Sequence, residues 1–276
     1  MDGDIQILGG LTPQQHAAAI QPGAVLVLAG AGTGKTKTLS HAVGHRIQVR
    51  GIAPGRILVV TFTNKAAAEM GARIRVALGE EAAPRWIGTF HGLGARQLRI
   101  EPEVAGLRHG FDIIDADDSR RIVKRVMKAL NLADGDEATS IGRNPLKAMC
   151  NRLSRFKDSL VTPEEAPARV EAMIAAANHD GTPVDPQGLR ACARVYVEYQ
   201  RVLRDANAAD FGDLLLWPTR AMQVNEFYRE RWAGRFDCIL ADEYQDVNHA
   251  QYSWLHLLGA EHGEVFVVGD DDQAVL

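Results

Sequence analysis

Cysteine is nearly absent from this 276-residue sequence. Cys150, Cys192 and Cys238 stand far apart with no C-x-x-C pair, which argues against a disulfide framework, a redox dithiol or a zinc site. They read as reduced packing residues. An excess of positive charge is also lacking. A net charge of -4 and a pI near 6.1 leave no global field to hold duplex DNA, so any nucleic-acid site must be a local groove. No apolar run approaches the ~18 residues needed to span a bilayer. The start, MDGDIQILGG, has no basic region of the kind that opens an export signal. The expectation is a cytoplasmic protein with no membrane contact. Internal repeats and low-complexity tracts are missing too. What remains is ordinary: 46% hydrophobic and 24% charged residues exclude a largely disordered chain. The length allows one large domain or two modest ones.

An apolar run from Ala24 to Leu28 leads into a glycine-rich loop, and a helical pattern starts at Thr36. Strand, loop and helix in that order open a doubly wound α/β domain. Ile57 to Thr61, Phe236 to Ala241 and Val265 to Val268 are further short apolar runs, each followed by polar residues. They read as strands of a mainly parallel sheet covered by helices. From about Asp115 to Asn207 strand signals nearly vanish and amphipathic helices take over. Ile122, Val123, Val126, Met127 and Leu130 recur at helical spacing, with Asp117 or Ser119 as the candidate cap. Asn178 to Pro186, with Gly181, Pro183 and Pro186, reads as a loop.

The loop AGAGTGKT, Ala29 to Thr36, fits a phosphate-binding loop with alanine in place of the usual first glycine. Gly30, Gly32 and Gly34 let backbone amides approach phosphate, and the helix N-terminus favours an anion. Lys35 is placed for the β and γ phosphates and Thr36 for Mg²⁺. A functionless glycine-rich turn is the alternative, disfavoured by the strand before it. Asp242 and Glu243 follow the run ending at Ala241, at the carboxyl edge of a strand where α/β sheets bind ligands. Alone they would pass for a solvated loop. Beside a phosphate loop, Asp242 is placed to hold Mg²⁺ and Glu243 to orient or deprotonate the water attacking the γ phosphate.

With these residues in view, the sequence resembles the UvrD/Rep-type superfamily 1 DNA helicases over essentially its whole length. LTPQQHAA from Leu11 resembles the family's Q motif, with Gln15 on the adenine edge. TFTNKAAAEM from Thr61 and GTFHGL from Gly88 resemble its single-strand motifs. DFGDLLL from Asp210 resembles the segment returning from the family's insertion, DEYQD from Asp242 its acidic motif, and VGDDDQA from Val268 the motif coupling phosphate state to DNA grip. Ala274 and Leu276 stand where the family has a serine and an aromatic residue.

The resemblance implies a RecA-like α/β P-loop NTPase domain of residues 1–112 and 207–276, interrupted by an all-helical subdomain, 113–206. It implies ATP and Mg²⁺ as cofactors. The nucleotide set is Gln15, Ala29, Gly30, Ala31, Gly32, Thr33, Gly34, Lys35, Thr36 and Lys37, and the metal set is Thr36 and Asp242. Lys35, Asp242, Glu243, Gln245 and Gln273 are the catalytic candidates. Thr61, Phe62, Thr63, Asn64, Thr89, Phe90 and His91 are the candidates for single-stranded DNA. Taken singly, Phe62 and Phe90 would pass for core residues, and His91 for a structural one. Arg121, Lys124, Arg125 and Lys128 form a basic helical face, continued by Lys147, Arg152, Arg155 and Lys157. That face is either a solvated surface or a phosphate track at a junction of duplex and single strand. The function implied is ATP-driven 3′-to-5′ translocation and unwinding. The motifs of a second motor domain, with its arginine fingers, are not in this sequence, so that domain or another chain is expected to be needed for full activity. A nucleotide- and DNA-binding module with negligible turnover and a P-loop phosphotransferase are the alternatives.

Overall fold

The structure is a computed structural model and describes residues 9–30, 32–132 and 144–270. In chain order, α1 (Pro13–Ile20) precedes β1 (Val25–Leu28), α2 (Lys35–Gln48), β2 (Ile57–Thr61), α3 (Asn64–Leu78), β3 (Trp86–Thr89) and α4 (Phe90–Ile100). Then follow β4 (Asp112–Ile113), α5 (Ala116–Ala129), α6 (Pro145–Asp158), α7 (Ala166–Asp180), α8 (Pro186–Asp205) and β5 (Ala208–Ala209). The chain ends with α9 (Asp213–Val224), α10 (Glu226–Ala233), β6 (Cys238–Ala241), α11 (His249–Gly259) and β7 (Val265–Gly269). The described residues divide into two compact units. Those up to Gly94 and from Ala221 form the first, and those of Ala95–Arg220 the second. Among the described residues no helix is long and apolar enough to cross a membrane.

The first unit is an α/β layer structure of the RecA-like kind. Its sheet has the order β1-β7-β6-β2-β3, with every pair parallel. Strands β2 and β6 are buried along their whole length, because helices cover both faces of a parallel sheet. On one face Ile57, Val59, Leu240, Phe266 and Val268 pack on Leu39, Ala42 and Val43 of α2 and on Met70 and Ile74 of α3. Strand β1 is one of the sheet's two edges and is only partly covered, with Leu26 and Leu28 exposed. The expected strands are all present. Ala24 and Phe236 fall just outside them, and Phe236 instead packs edge-on against Trp86, ring centroids 5.5 Å apart.

In the second unit, helices α5 to α8 share a core of Val123, Val126, Met149, Leu153, Val170 and Tyr196. The unit is wider than the 113–206 stretch. Ala95, Leu98 and Leu107 cluster with Ala209 and Leu214, and β4 pairs in parallel with β5. Asp115 caps α5, in place of the expected Asp117 or Ser119. Its Oδ1 accepts the amides of Asp117 and Asp118, each at 2.9 Å, which satisfies donors that the first turn leaves unpaired. The connection after α7 is shorter than expected, since Asn178 to Asp180 finish the helix and Gly181 closes it in the left-handed conformation.

Arg121, Lys124, Arg125 and Lys128 are exposed on α5, although Arg121 is already paired with Asp118 at 2.8 Å. Lys147 and Arg155 are exposed as well, and Arg152 is half-buried with its guanidinium donating to the Gly188 carbonyl. Lys157 does not belong to this surface. It is 2% exposed, and its ammonium lies 2.6 Å from Asp210 and 2.9 Å from Asp213. A buried lysine needs such partners, and two aspartates from the DFGDLLL segment supply them.

Candidate active site

The parallel sheet brings the phosphate loop, TFTNKAAAEM, GTFHGL, the acidic motif and the start of VGDDDQA to its carboxyl edge. Strand β1 ends at the phosphate loop, and Ala29 N donates to Gly269 O at 3.1 Å, which ties that loop to the end of β7. Strand β6 lies between β7 and β2, so the acidic motif stands between the phosphate loop and TFTNKAAAEM. Strand β3 pairs with β2 in a register that sets Thr61 opposite Thr89. Two segments that are 28 residues apart in sequence therefore start from adjacent strand ends.

Within the phosphate loop, Thr33 Oγ1 donates to Gly30 O at 2.7 Å. Gly32 and Gly34 have φ of +75° and +85°, a region other residues rarely enter. A Cβ on Gly34 would also lie 2.9 Å from Gln15 Nε2. Helix α2 has no side-chain cap at this end, so its first amides are open to an anion. Lys35 Nζ lies 3.3 Å from Asp270 and 3.9 Å from Glu243. Lys37 turns elsewhere and donates to Gly10 O at 2.6 Å.

Thr36 Oγ1 donates to Asp242 Oδ2 at 3.1 Å, across 206 residues of sequence. Asp242 is 3% exposed. Burial pushes its pKa up, and the Thr36 hydroxyl and the Lys35 charge oppose that shift. Mg²⁺ prefers oxygen donors and keeps several waters. One hydroxyl and one carboxylate side by side fit it without a larger cluster, and no group of three or more His, Cys, Asp or Glu suited to a metal occurs among the described residues. Glu243 has φ of +52°, a left-handed conformation that costs a non-glycine residue about 1–3 kcal/mol. Gln245 braces it. Its Nε2 donates to Glu243 Oε2 at 2.6 Å, and its Oε1 accepts the Asp270 amide at 2.9 Å.

Lys35, Thr36, Glu243 and Gln245 share a cavity of about 580 Å³ with Asp246, Asp270 and Arg73. Sequence reasoning did not single out Arg73. Its signal was weak: an exposed arginine on α3, nine residues beyond Asn64. On the other side of the loop a cavity of about 320 Å³ is lined by Thr12, Gln15, Val27, Ala29 and Thr33. Gln15 closes the capping box of α1, accepting the Thr12 amide at 2.9 Å, and donates to Thr33 O at 2.7 Å. Ala31 and Gln273, and the departures Ala274 and Leu276, lie outside the described residues.

The DNA candidates divide by exposure. Thr63 and Asn64 are exposed, Phe62, Thr89 and His91 half-buried, and Thr61 and Phe90 buried. Thr61 Oγ1 donates to Thr63 O at 3.1 Å, and Thr63 caps α3 by accepting the Ala66 amide at 3.1 Å. Thr89 accepts the Gly92 amide at 3.1 Å. Phe90 packs edge-on against Phe62, centroids 5.4 Å apart, and against Trp254 at 6.2 Å. Phe90 therefore props Phe62 from within the core, and Phe62 keeps part of its surface accessible.

Residues 11–276 match the UvrD/REP helicase N-terminal domain family. Over 98% of its length the chain is 40% identical to ATP-dependent DNA helicase UvrD1 of Mycobacterium tuberculosis, of which it covers 34%. It is 37% identical to DNA helicase II of Escherichia coli, with 98% of the chain and 34% of that protein covered. With ATP-dependent DNA helicase PcrA of Staphylococcus epidermidis the identity is 34%, over 95% of the chain and 33% of the relative. The chain thus spans about a third of the length of these curated relatives.

Proposed function

The chain belongs to the UvrD/REP helicase family by its N-terminal domain, and from that premise we propose that it binds Mg-ATP and single-stranded DNA as the N-terminal motor half of a 3′-to-5′ DNA translocase. The observation that carries this reading is the meeting of Thr36 with Asp242 at 3.1 Å beside Lys35 and Glu243. A turn formed only by glycine spacing would not bring a hydroxyl, two carboxylates and an ammonium together.

In this reading the amides of Gly30 to Thr36 cradle the phosphates and Lys35 leaves Asp270 to neutralise the β and γ oxygens. Thr36 and Asp242 are the residues that would hold Mg²⁺, and a bound ion would supply charge withdrawal from the phosphate oxygens. Glu243 receives the proton of the attacking water, and Gln245 keeps that carboxylate aimed. Gln15 has one acceptor and one donor position left after its bonds to Thr12 and Thr33, the pair that the adenine edge requires. Phe62, Asn64 and His91 are assigned to single-stranded DNA, a reading supported by Phe62 and Asn64 following the end of β2, next to β6, and by His91 following β3 on the other side of β2. Gln273 senses the γ phosphate by resemblance alone.

A second reading is a nucleotide- and DNA-binding module with little turnover of its own. Titration of the purified chain with Mg-ATP and with a single-stranded oligonucleotide tests both readings. Binding of the two ligands is expected. Nucleotide binding with no response to the oligonucleotide would point to a phosphotransferase instead.

A further inference from the structure

Arg46 lies on α2, away from both cavities, and is 0% exposed. A buried guanidinium is tolerated only when its donors and its charge are matched. Here Nε and Nη2 meet Glu264 Oε1 at 3.1 and 2.9 Å. Nη1 donates to Ala19 O at 3.1 Å and Ala42 O at 3.2 Å, and Nη2 to Gln21 O at 3.1 Å. The guanidinium carbon lies 5.2 Å from the ring centroid of Phe266. Glu264 in turn accepts the Gly23 amide at 2.9 Å and Arg50 at 2.5 Å. One cation thus ties together the end of α1, the turn into β1 and the start of β7.

Two of these acceptors matter most. Ala19 and Gln21 close α1, where carbonyls have no partner within the helix and the helix dipole is negative. A helix of eight residues is too short to hold its own position. Ala19 is its one fully buried side chain, and a methyl group removes little apolar surface from water. The placement of α1 therefore rests heavily on Arg46. The same helix carries Gln15 one turn before Ala19, at the wall of the smaller cavity.

We infer that Arg46 is a positioning residue for recognition of the nucleotide base, acting through α1 to hold Gln15 at that cavity. The inference rests on the nucleotide-binding reading above. A loosened α1 would blur the distinction between adenine and guanine, whereas the phosphate loop, built on β1 and α2, would keep its grip on the triphosphate.

The test compares Mg-ATP, Mg-GTP and Mg-tripolyphosphate by equilibrium titration of the whole chain. Parent, Arg46→Lys, Glu264→Gln, Gln15→Ala and the double variant Arg46→Lys/Gln15→Ala are used. The lysine keeps the charge and loses the fork that reaches three carbonyls. The ATP-over-GTP preference should fall about fivefold or more in Arg46→Lys, with tripolyphosphate affinity kept within about twofold. Glu264→Gln should move it the same way and carries the test if Arg46→Lys does not fold. The double variant should lose no more than Gln15→Ala alone, because both changes act on one contact. An unchanged preference in the folded variants overturns the inference, and so does an equal loss for all three ligands. A parent that prefers neither base overturns it as well. A parent that binds none of the three ligands overturns the nucleotide-binding reading itself, and the inference falls with it.

Discussion

Gln245 Nε2 donates to Glu243 Oε2 at 2.6 Å, and this bond aims a carboxylate whose backbone is held in a left-handed conformation. Through its other end Gln245 accepts the Asp270 amide. The acidic motif and the segment after β7 are therefore linked by one side chain, beside the ammonium of Lys35.

Lys35→Ala and Glu243→Gln should separate binding from hydrolysis. Loss of a charged hydrogen bond to phosphate, worth about 1.5–3 kcal/mol, should weaken Mg-ATP by roughly 10- to 100-fold. The glutamine variant should bind as the parent does and lose about 10²- to 10⁴-fold in turnover. Affinity and turnover are to be measured in a version joined to a second motor domain. Unchanged turnover in Glu243→Gln would remove that residue from the mechanism.

The buried pair in the second unit gives a pH prediction. Burial and the neighbouring Asp210 charge push Asp213 up to about 6, while Lys157 and Tyr199 outweigh burial and hold Asp210 below the usual range. A carboxylate raised in the folded state contributes stability that is complete below its unfolded pKa, near 4, and is lost as pH rises through its folded value. Between about pH 4 and 7 the parent should therefore lose thermal stability relative to Asp213→Asn. A difference in melting temperature that stays constant over that interval would contradict the assignment.

Much of this was legible in sequence because it is local. Glycine spacing in Ala29 to Thr36 and apolar runs ending at Thr61 and Ala241 report strand, loop and helix directly. Pairings between distant segments were not legible. Lys157 reads as surface charge until Asp210, 53 residues on, is known to face it. Arg46 reads as an ordinary helical arginine until Glu264, 218 residues away, is placed beside it. Phe62 and Phe90 look equivalent in their motifs, and only the β2–β3 register and Trp254 decide which ring is buried. The Asp115 cap was missed by two or four positions, since three further acidic or hydroxyl residues follow within four.

The exposed face of α5 tests nucleic-acid contact in the second unit. Replacing Arg121, Arg125 and Lys128 together should lower affinity for a junction of duplex and single strand. It should also flatten the salt dependence by up to about 2–3 in log–log slope, as fewer counterions are released. Arg121 should contribute least, because Asp118 already neutralises it. Mg-ATP affinity should stay as in the parent. An unaltered slope would make the face a solvated surface.

The 276-residue chain alone should be a very poor ATPase. Charge developing on the transferred phosphoryl group needs cations, and on the cavity wall this chain offers Lys35, Lys37 and Arg73. Lys37 is held by Gly10 O, and Lys35 serves the ground state as much as the transition state. The resemblance to UvrD/Rep-type helicases implies that a second motor domain supplies arginine. Arginine fingers elsewhere are worth about 10³–10⁵ in turnover, so a deficit of at least roughly a thousandfold against a two-domain enzyme is expected. The measurement is steady-state hydrolysis with and without single-stranded DNA, with Glu243→Gln as the control for contaminating activity. Robust DNA-stimulated turnover that disappears in that control would overturn the expectation. If Arg73→Ala also abolished it, the stabilising cation would come from α3 of the same chain. If turnover instead rose with the square of protein concentration, an arginine donated by a second copy would be the source.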